Sequence, residues 1–463
     1  MSHSGPWSYL QRVPLVFYGP GFIRARGEVS PDREVTLADL APTMAELLNT
    51  RMPPGIPGRP IEGILKNNED PPRVIVTIVW DGGGWNVLRA WPDSWPRLAG
   101  LIRGGASVEA TVGSSPSVTP SIHATIGTGA YPRQTGIIGI SFRSNGEIVD
   151  SFGQRSPRFL LRPTLADVYD RSTGNAAKIA MLAYKSWHLA MLGHGASIPG
   201  GDRDIAALVN LEEELTTNPE LYALPSYLQD LPGLQSSIRA IDLDDGSVDS
   251  KWMGHDILED PAARRDTPAW ILYQTILLKA LMQREGFGQD DVPDLLYTNY
   301  KHLDEVGHNW NLISREMRET LHYSDRSLAQ LESFLNDTVG RRRWVLVLTA
   351  DHGQGPDAEA SGAWPISQTE LVKDTGDHFD VDPDSLITNT SAVGAWVDKE
   401  VMASEGITLR QISRFLLDYR LEENVQPGDE PPAQYEPRLR EPVFSAAFPY
   451  KKMVASQPCA GRG

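Results

Sequence analysis

The chain carries short, unbroken apolar runs that each stop at a charged residue. Residues 73–80 are apolar and largely β-branched and end at Asp81-Gly82-Gly83-Gly84; residues 294–299 lead into Lys301-His302-Leu303-Asp304; residues 344–350 end at Asp351-His352-Gly353. Such runs predict strands buried on both faces. Residues 12–18, closed by Gly19-Pro20-Gly21, and residues 106–112 and 177–184 predict further strands. Between them, apolar residues at spacings of three and four predict helices over 36–48, 87–102, 269–284, 315–335 and 408–418, and another beginning beside Pro120. Strands alternating with helices predict an α/β fold, a largely parallel central sheet with helices on both faces. Ligands collect at the carboxyl ends of such strands, where the acidic residues stand.

Punctuation sets the organisation. Lys66-Asn67-Asn68-Glu69-Asp70-Pro71-Pro72 separates residues 1–66 from a core segment, 73–200, that holds Asp81 and Thr119. Residues 201–268 are weakly periodic and acidic, as in Asp242-Leu243-Asp244-Asp245, and predict an insertion or cap. Residues 269–463 carry the remaining motifs, a loop over 301–308, a strand at 392–397 and an irregular tail at 426–437.

Composition narrows the chemistry. A formal net charge of −17 excludes a nucleic-acid duplex or an anionic membrane surface as the main partner. The single cysteine, Cys459, excludes an intramolecular disulfide and a thiolate cage, so any metal is held by Asp, Glu and His. No apolar run has membrane-spanning length, and Met1-Ser2-His3-Ser4-Gly5-Pro6-Trp7 lacks signal-peptide features. The sequence as it stands predicts a cytoplasmic protein, and a secreted or periplasmic one if the true start lies upstream. Asp81, Asp304 with His308, and Asp351 with His352 are donors suited to Zn²⁺ or Mn²⁺. Two ions about 3.5–4 Å apart could flank the Thr119 hydroxyl, one lowering its pKa and the other polarising a phosphoryl group. A phospho-threonine would result, at a helix start whose free N–H groups suit phosphate.

Thr119, His123, Thr128-Gly129, Tyr131-Pro132 and Gly136-Ile137 resemble the nucleophile motif of the type I phosphodiesterase/nucleotide pyrophosphatase branch of the alkaline phosphatase superfamily. Asp304-Glu305-Val306-Gly307-His308 resembles its second metal motif, and Thr349-Ala350-Asp351-His352-Gly353 its third. The resemblance covers most of the chain and implies the alkaline-phosphatase-like three-layer sandwich. It implies one zinc among Asp81, Thr119, Asp351 and His352, and another at Asp304, His308 and one further histidine. In the family that histidine lies in a Gly-x-His-Gly loop, before a strand beginning Val-Pro and a Gly-Pro-Gly turn. Here the matching neighbourhood is Ser2-His3-Ser4-Gly5-Pro6-Trp7, followed by Val13-Pro14 and Gly19-Pro20-Gly21. Asp39, Pro42, Thr43 and the Gly55 to Pro60 connector also resemble the family's C-terminal end. His3 is therefore the expected ligand, ahead of His378 in Gly376-Asp377-His378-Phe379. The order reads as a circular permutation in which residues 1–66 complete the catalytic domain; a misplaced gene start is the other account of it.

The resemblance implies a phosphohydrolase acting on a phosphodiester, pyrophosphate or phosphomonoester of a small molecule or nucleotide. It departs at Ile140, where the family has an asparagine on the phosphoryl oxygen, with Ser141 beside it and Asn145 farther on. Lys185 resembles a phosphate-contacting lysine of phosphomonoesterase relatives, with Trp187 in place of an arginine; it fits an exposed lysine after a strand equally well. These departures sustain a second reading, a catalytically inactive binding protein that keeps the fold. Thr119-Pro120-Ser121 does not supply the Cys/Ser-x-Pro-x-Arg setting of a sulfatase. His123 is expected to pack and hydrogen-bond, His188 and His194 to be structural, and His302 to support the Asp304 motif from behind. His255 and His322 carry no motif, and Trp85, Trp187 and Trp310 suit core or an aryl pocket. Gly82-Gly83-Gly84 lacks the spacing of a nucleotide-binding fingerprint.

Overall fold

The structure, a computed structural model, describes residues 3–449 apart from 68–69, 211–213, 244–245, 261–263, 392–393, 427 and 432. Cys459, half of the acidic stretch at 242–245 and the first two residues of the strand expected at 392–397 lie outside the described residues. The apolar runs form β1 (Arg12–Tyr18), β2 (Gly27–Val29), β3 (Val74–Trp80), β4 (Ala106–Thr111), β5 (Ile179–Ala183), β6 (Ile205–Val209), β7 (Leu215–Thr216), β8 (Asp294–Tyr300) and β9 (Trp344–Thr349). Among the described residues these make one nine-stranded sheet in the order β2-β4-β1-β9-β3-β8-β5-β6-β7. The five strands from β9 to β6 are mutually parallel, so their carboxyl ends share one edge. β1 runs antiparallel to β4 and β9 on either side of it.

β3 is buried at all seven positions. Its pleat sends Ile75 and Val79 into one core and Val74, Val76, Ile78 and Trp80 into the other. The first core is closed by α1 (Leu40–Leu47), α3 (Thr119–Thr128) and α4 (Leu165–Ser172). The second is closed by α2 (Pro96–Gly104), α5 (Ala269–Glu285), α6 (His302–Trp310) and α7 (Arg315–Leu335). This is the three-layer α/β sandwich that the pattern predicts.

Several boundaries differ, each for a local reason. The helix expected over 87–102 breaks into Trp85–Ala90 and α2 because Pro92 and Pro96 cannot continue it. Residues 36–39 form a 3₁₀ turn closed by a Thr36/Asp39 capping box before α1 begins. Residues 301–308, expected as a loop, are mostly helical, with Leu303 and Val306 buried on one side of α6. The segment expected as a cap, 201–268, begins with β6 and β7 at the sheet edge. The expected segment 269–463 divides after Gly355, for the chain forms two compact units, 1–355 and 356–463. The second has its own small core of Leu386, Ile387, Ile407 and Ile412. It contains α8 (Gln368–Phe379), α9 (Leu409–Asp418) and a ribbon of Ile387–Ser391 with Gly394–Val397. No helix among the described residues is long and apolar enough to cross a membrane.

Asp325 of α7 pins α2 to its neighbour. Its carboxylate accepts from Arg97 N and Leu98 N, both at 2.8 Å, donors that the first turn of a helix leaves free. Asp325→Ala should therefore lower stability by about 1–3 kcal/mol. An unchanged melting temperature would show that these bonds carry none of the packing between the two helices.

Candidate metal centre

β9, β3 and β8 are neighbours, and the acidic residue after each arrives at the same edge. Gly82 turns the chain with φ +71°, and a Cβ on Gly84 would lie 2.6 Å from Gly353 Cα. Glycine is required because the loops after β3 and β9 meet backbone to backbone. Gly82 N–H then donates to Asp351 Oδ1 at 3.0 Å, and Asp351 Oδ2 lies 3.4 Å from His352 Nε2. On α6, Asp304 and His308 are one turn apart, with His308 Nε2 3.3 Å from Asp304 Oδ2. His3 enters ahead of β1. Its Nε2 is 3.6 Å from Asp304 Oδ1, and its ring stacks on His352 at 3.5 Å and stands 5.2 Å from His308.

The backbone fixes which ring nitrogens are free. His3 Nδ1 bonds Ser117 O at 3.1 Å and His352 Nδ1 bonds Gly353 O at 3.0 Å. A carbonyl only accepts, so both rings hold hydrogen on Nδ1 and turn an Nε2 lone pair inward. Burial, followed by His352, pushes the His3 pKa down to about 3, so it stays neutral. Asp351 moves the other way: burial, then the Asp81 charge, raise it to about 7. Burial alone would raise Asp81 and Asp304 as well, yet the Lys301 ammonium holds both below the ordinary carboxylate range.

The structure brings most of the expected residues together. His3, Asp304 and His308 place ligand atoms within 4.8 Å of one another, as do Asp81, Asp304 and His352. Asp351 joins through His352. Thr119 is the first residue of α3, tied in through His123, whose Nδ1 bonds Thr119 O at 2.8 Å and lies 3.8 Å from Asp351 Oδ2. Lys185 forms a 3.0 Å pair with Glu305, adjacent to Asp304. His188 accepts from Lys185 N at 3.3 Å, which leaves Nε2–H facing Asp81 Oδ2 at 3.6 Å. His194 bridges Asp167 and Leu160 O and is structural.

Other residues stand elsewhere. His302 does not support Asp304: its ring stacks on Trp270 at 5.4 Å because it faces the second core. His378 lies in the second unit against Phe379 and Phe415. Asn145 occupies a hairpin turn with φ +51°, and Ile140 is 40 % exposed. Motif spacing does not point to Asn299, Lys301 or Gln354, all of which touch the carboxylates. Asn299 Nδ2 donates to Asp81 Oδ2 at 3.0 Å and Gln354 Nε2 to Asp304 Oδ1 at 3.1 Å. The one signal for the first two is polar residues closing an otherwise apolar strand.

The donor set fits divalent cations. Asp351 Oδ2 and His352 Nε2 are buried and, among the described residues, have no hydrogen-bond partner. Orphaned buried acceptors are rare and costly, and a cation between them satisfies both. The raised Asp351 pKa gives the metal-free chain a pH signature. A carboxyl at about 7 when folded and about 3.9 when unfolded takes up a proton on folding between those values. Its stabilisation is complete below pH about 4 and is lost as pH rises through about 7. In EDTA, Asp351→Asn should flatten that decline and melt above the wild type at pH 8. Identical profiles for the two chains would contradict the assignment.

Residues 75–452 match the family described as type I phosphodiesterase / nucleotide pyrophosphatase. The chain is 22 % identical over 413 residues to alkaline phosphatase PafA of Elizabethkingia meningoseptica, covering 77 % of this chain and 74 % of that one. It is 24 % identical over 337 residues to a calcium-transporting ATPase of Myroides odoratus, covering 61 % of this chain and 60 % of the other. It is also 24 % identical over 335 residues to alkaline phosphatase PhoV of Synechococcus elongatus, covering 61 % of this chain and 59 % of that protein. The crystal structure of wild-type PafA aligns with TM-score 0.57 at 20 % identity over 78 % of each chain. That of a PafA mutant aligns with TM-score 0.57 at 19 % identity, over 79 % of this chain and 82 % of the other. These structures show an alkaline-phosphatase-like fold. Since the family match runs from within β3 to well past Asp351, the chain belongs to the type I phosphodiesterase/nucleotide pyrophosphatase family, a family of phosphohydrolases.

Proposed function

We propose that the chain cleaves a phosphodiester, pyrophosphate or phosphomonoester bond of a small substrate through a covalent intermediate on Thr119. Two divalent cations, zinc foremost, would be held by Asp81, Thr119, Asp351 and His352 and by Asp304, His308 and His3. The observation that carries this reading is the convergence of Asp81, Asp304 and Asp351 with the inward Nε2 atoms of His3 and His352, beside the first turn of α3. Bound cations supply positive charge that lowers the pKa of a nearby hydroxyl and draws charge from phosphoryl oxygens.

The chain's own groups do the rest. His123 fixes the Thr119 backbone from within the same helix, while the Thr119 hydroxyl makes no hydrogen bond among the described residues and is free to react. The opening turn of α3 favours negative charge beside it. As the Oγ–phosphorus bond forms, the bond from phosphorus to the leaving oxygen breaks and the hydroxyl proton passes to solvent. Water then cleaves the phospho-threonine, restoring the hydroxyl and releasing phosphate or a phosphomonoester. Lys185, paired with Glu305 at 3.0 Å, is the proposed phosphate contact. In this function residues 1–66 are a permuted segment of the catalytic domain. In support, the family match begins at residue 75, β1 lies between β4 and β9, and His3 approaches Asp304 at 3.6 Å.

Thr119→Ala should lower hydrolysis of nitrophenyl phosphate esters by at least about 1,000-fold while the chain still takes up metal. Undiminished turnover would overturn the intermediate. His3→Gln should lose metal from the Asp304 side and His378→Gln should not; the reverse pattern would make His378 the ligand. A wild-type chain with neither hydrolysis nor metal uptake would support the inactive binding protein instead.

A further inference from the structure

A buried ammonium is unexpected in a metal centre, and Lys301 provides one. It is 3 % exposed and follows β8 directly. Its Nζ lies 3.0 Å from Asp81 Oδ1 and 2.5 Å from Asp304 Oδ2. The same two oxygens face imidazoles: His352 Nε2 is 3.5 Å from Asp81 Oδ1, and His308 Nε2 is 3.3 Å from Asp304 Oδ2. The other oxygen of each carboxylate is bonded to a neutral amide, Asn299 on Asp81 and Gln354 on Asp304; Asp304 Oδ1 also has His3 at 3.6 Å.

Lys301 therefore sits on the Asp81 oxygen that an ion bound by His352 would share and on the Asp304 oxygen that an ion bound by His308 would share. Two buried carboxylates with no counter-charge are strongly unfavourable, so one ammonium between them makes a metal-free centre tolerable. The same charge repels any dication brought to those oxygens. Contact with one oxygen of each of two buried carboxylates, at 3.0 and 2.5 Å, is the environment of an ammonium.

We propose that Lys301 is a built-in counter-cation for Asp81 and Asp304 that divalent ions must displace, so that it limits metal affinity and holds the ligands in register when metal is absent. This rests on the metal centre described above, in which Lys301 is a positioning residue. The test compares wild type, Lys301→Met and Lys301→Gln by zinc titration against a chromophoric chelator and by thermal melting in EDTA. Both variants should bind zinc at least about tenfold more tightly, and Lys301→Met should melt below wild type in EDTA and recover with zinc. Loss of packing alone would lower stability without tightening zinc. Should Lys301→Met fail to fold without zinc, Lys301→Gln, which keeps a donor, still reports the affinity. Equal or weaker zinc binding in both variants, with wild type binding zinc, overturns this inference and leaves the centre standing. No zinc on any of the three chains removes both.

Discussion

Three carboxylates lie together at a buried sheet edge, and much of the surrounding structure answers that repulsion. Their convergence follows from topology: β9, β3 and β8 are parallel neighbours, so an acidic residue closing each one arrives on the same side. Burial then magnifies every charge. Asp351 is met by the Gly82 N–H, Asp81 by Asn299 and Lys301, and Asp304 by Gln354 and Lys301. One acid remains poorly compensated, and its raised pKa records it.

His3 complements this acidity by staying neutral. Burial works against an imidazolium, and backbone carbonyls take the Nδ1 hydrogens of His3 and His352. His3 and His352 thus turn Nε2 lone pairs toward the carboxylate oxygens, a donor set that suits a cation. The close approach of Gly84 to Gly353 serves the same end, because any side chain there would push apart the loops that follow β3 and β9.

Much of this was legible in residue pattern. An unbroken β-branched run reads as a doubly buried strand, and Asp81, Asp304 with His308, and Asp351 with His352 each stand just beyond such a run. His3 was legible only through the neighbourhood it shares with a family motif, since nothing in local periodicity marks it. The roles of Lys301, Asn299 and Gln354 were not legible, for each involves a carboxylate at least 50 residues away in sequence, Asp81 for the first two and Asp304 for the third. His302 looked like a partner of Asp304 by adjacency, but helical geometry turns it toward Trp270. The division after Gly355 was marked only by the turn residues Gly353-Gln354-Gly355-Pro356, beyond which the pattern becomes mixed; that punctuation alone does not tell a loop from a boundary between two cores.

The most direct measurement is X-ray diffraction at the zinc absorption edge from crystals of the zinc-loaded chain. Two anomalous peaks about 3.5–4 Å apart are predicted, one among Asp81, Asp351 and His352 and one among Asp304, His308 and His3. A map with no peak at either group would contradict the account.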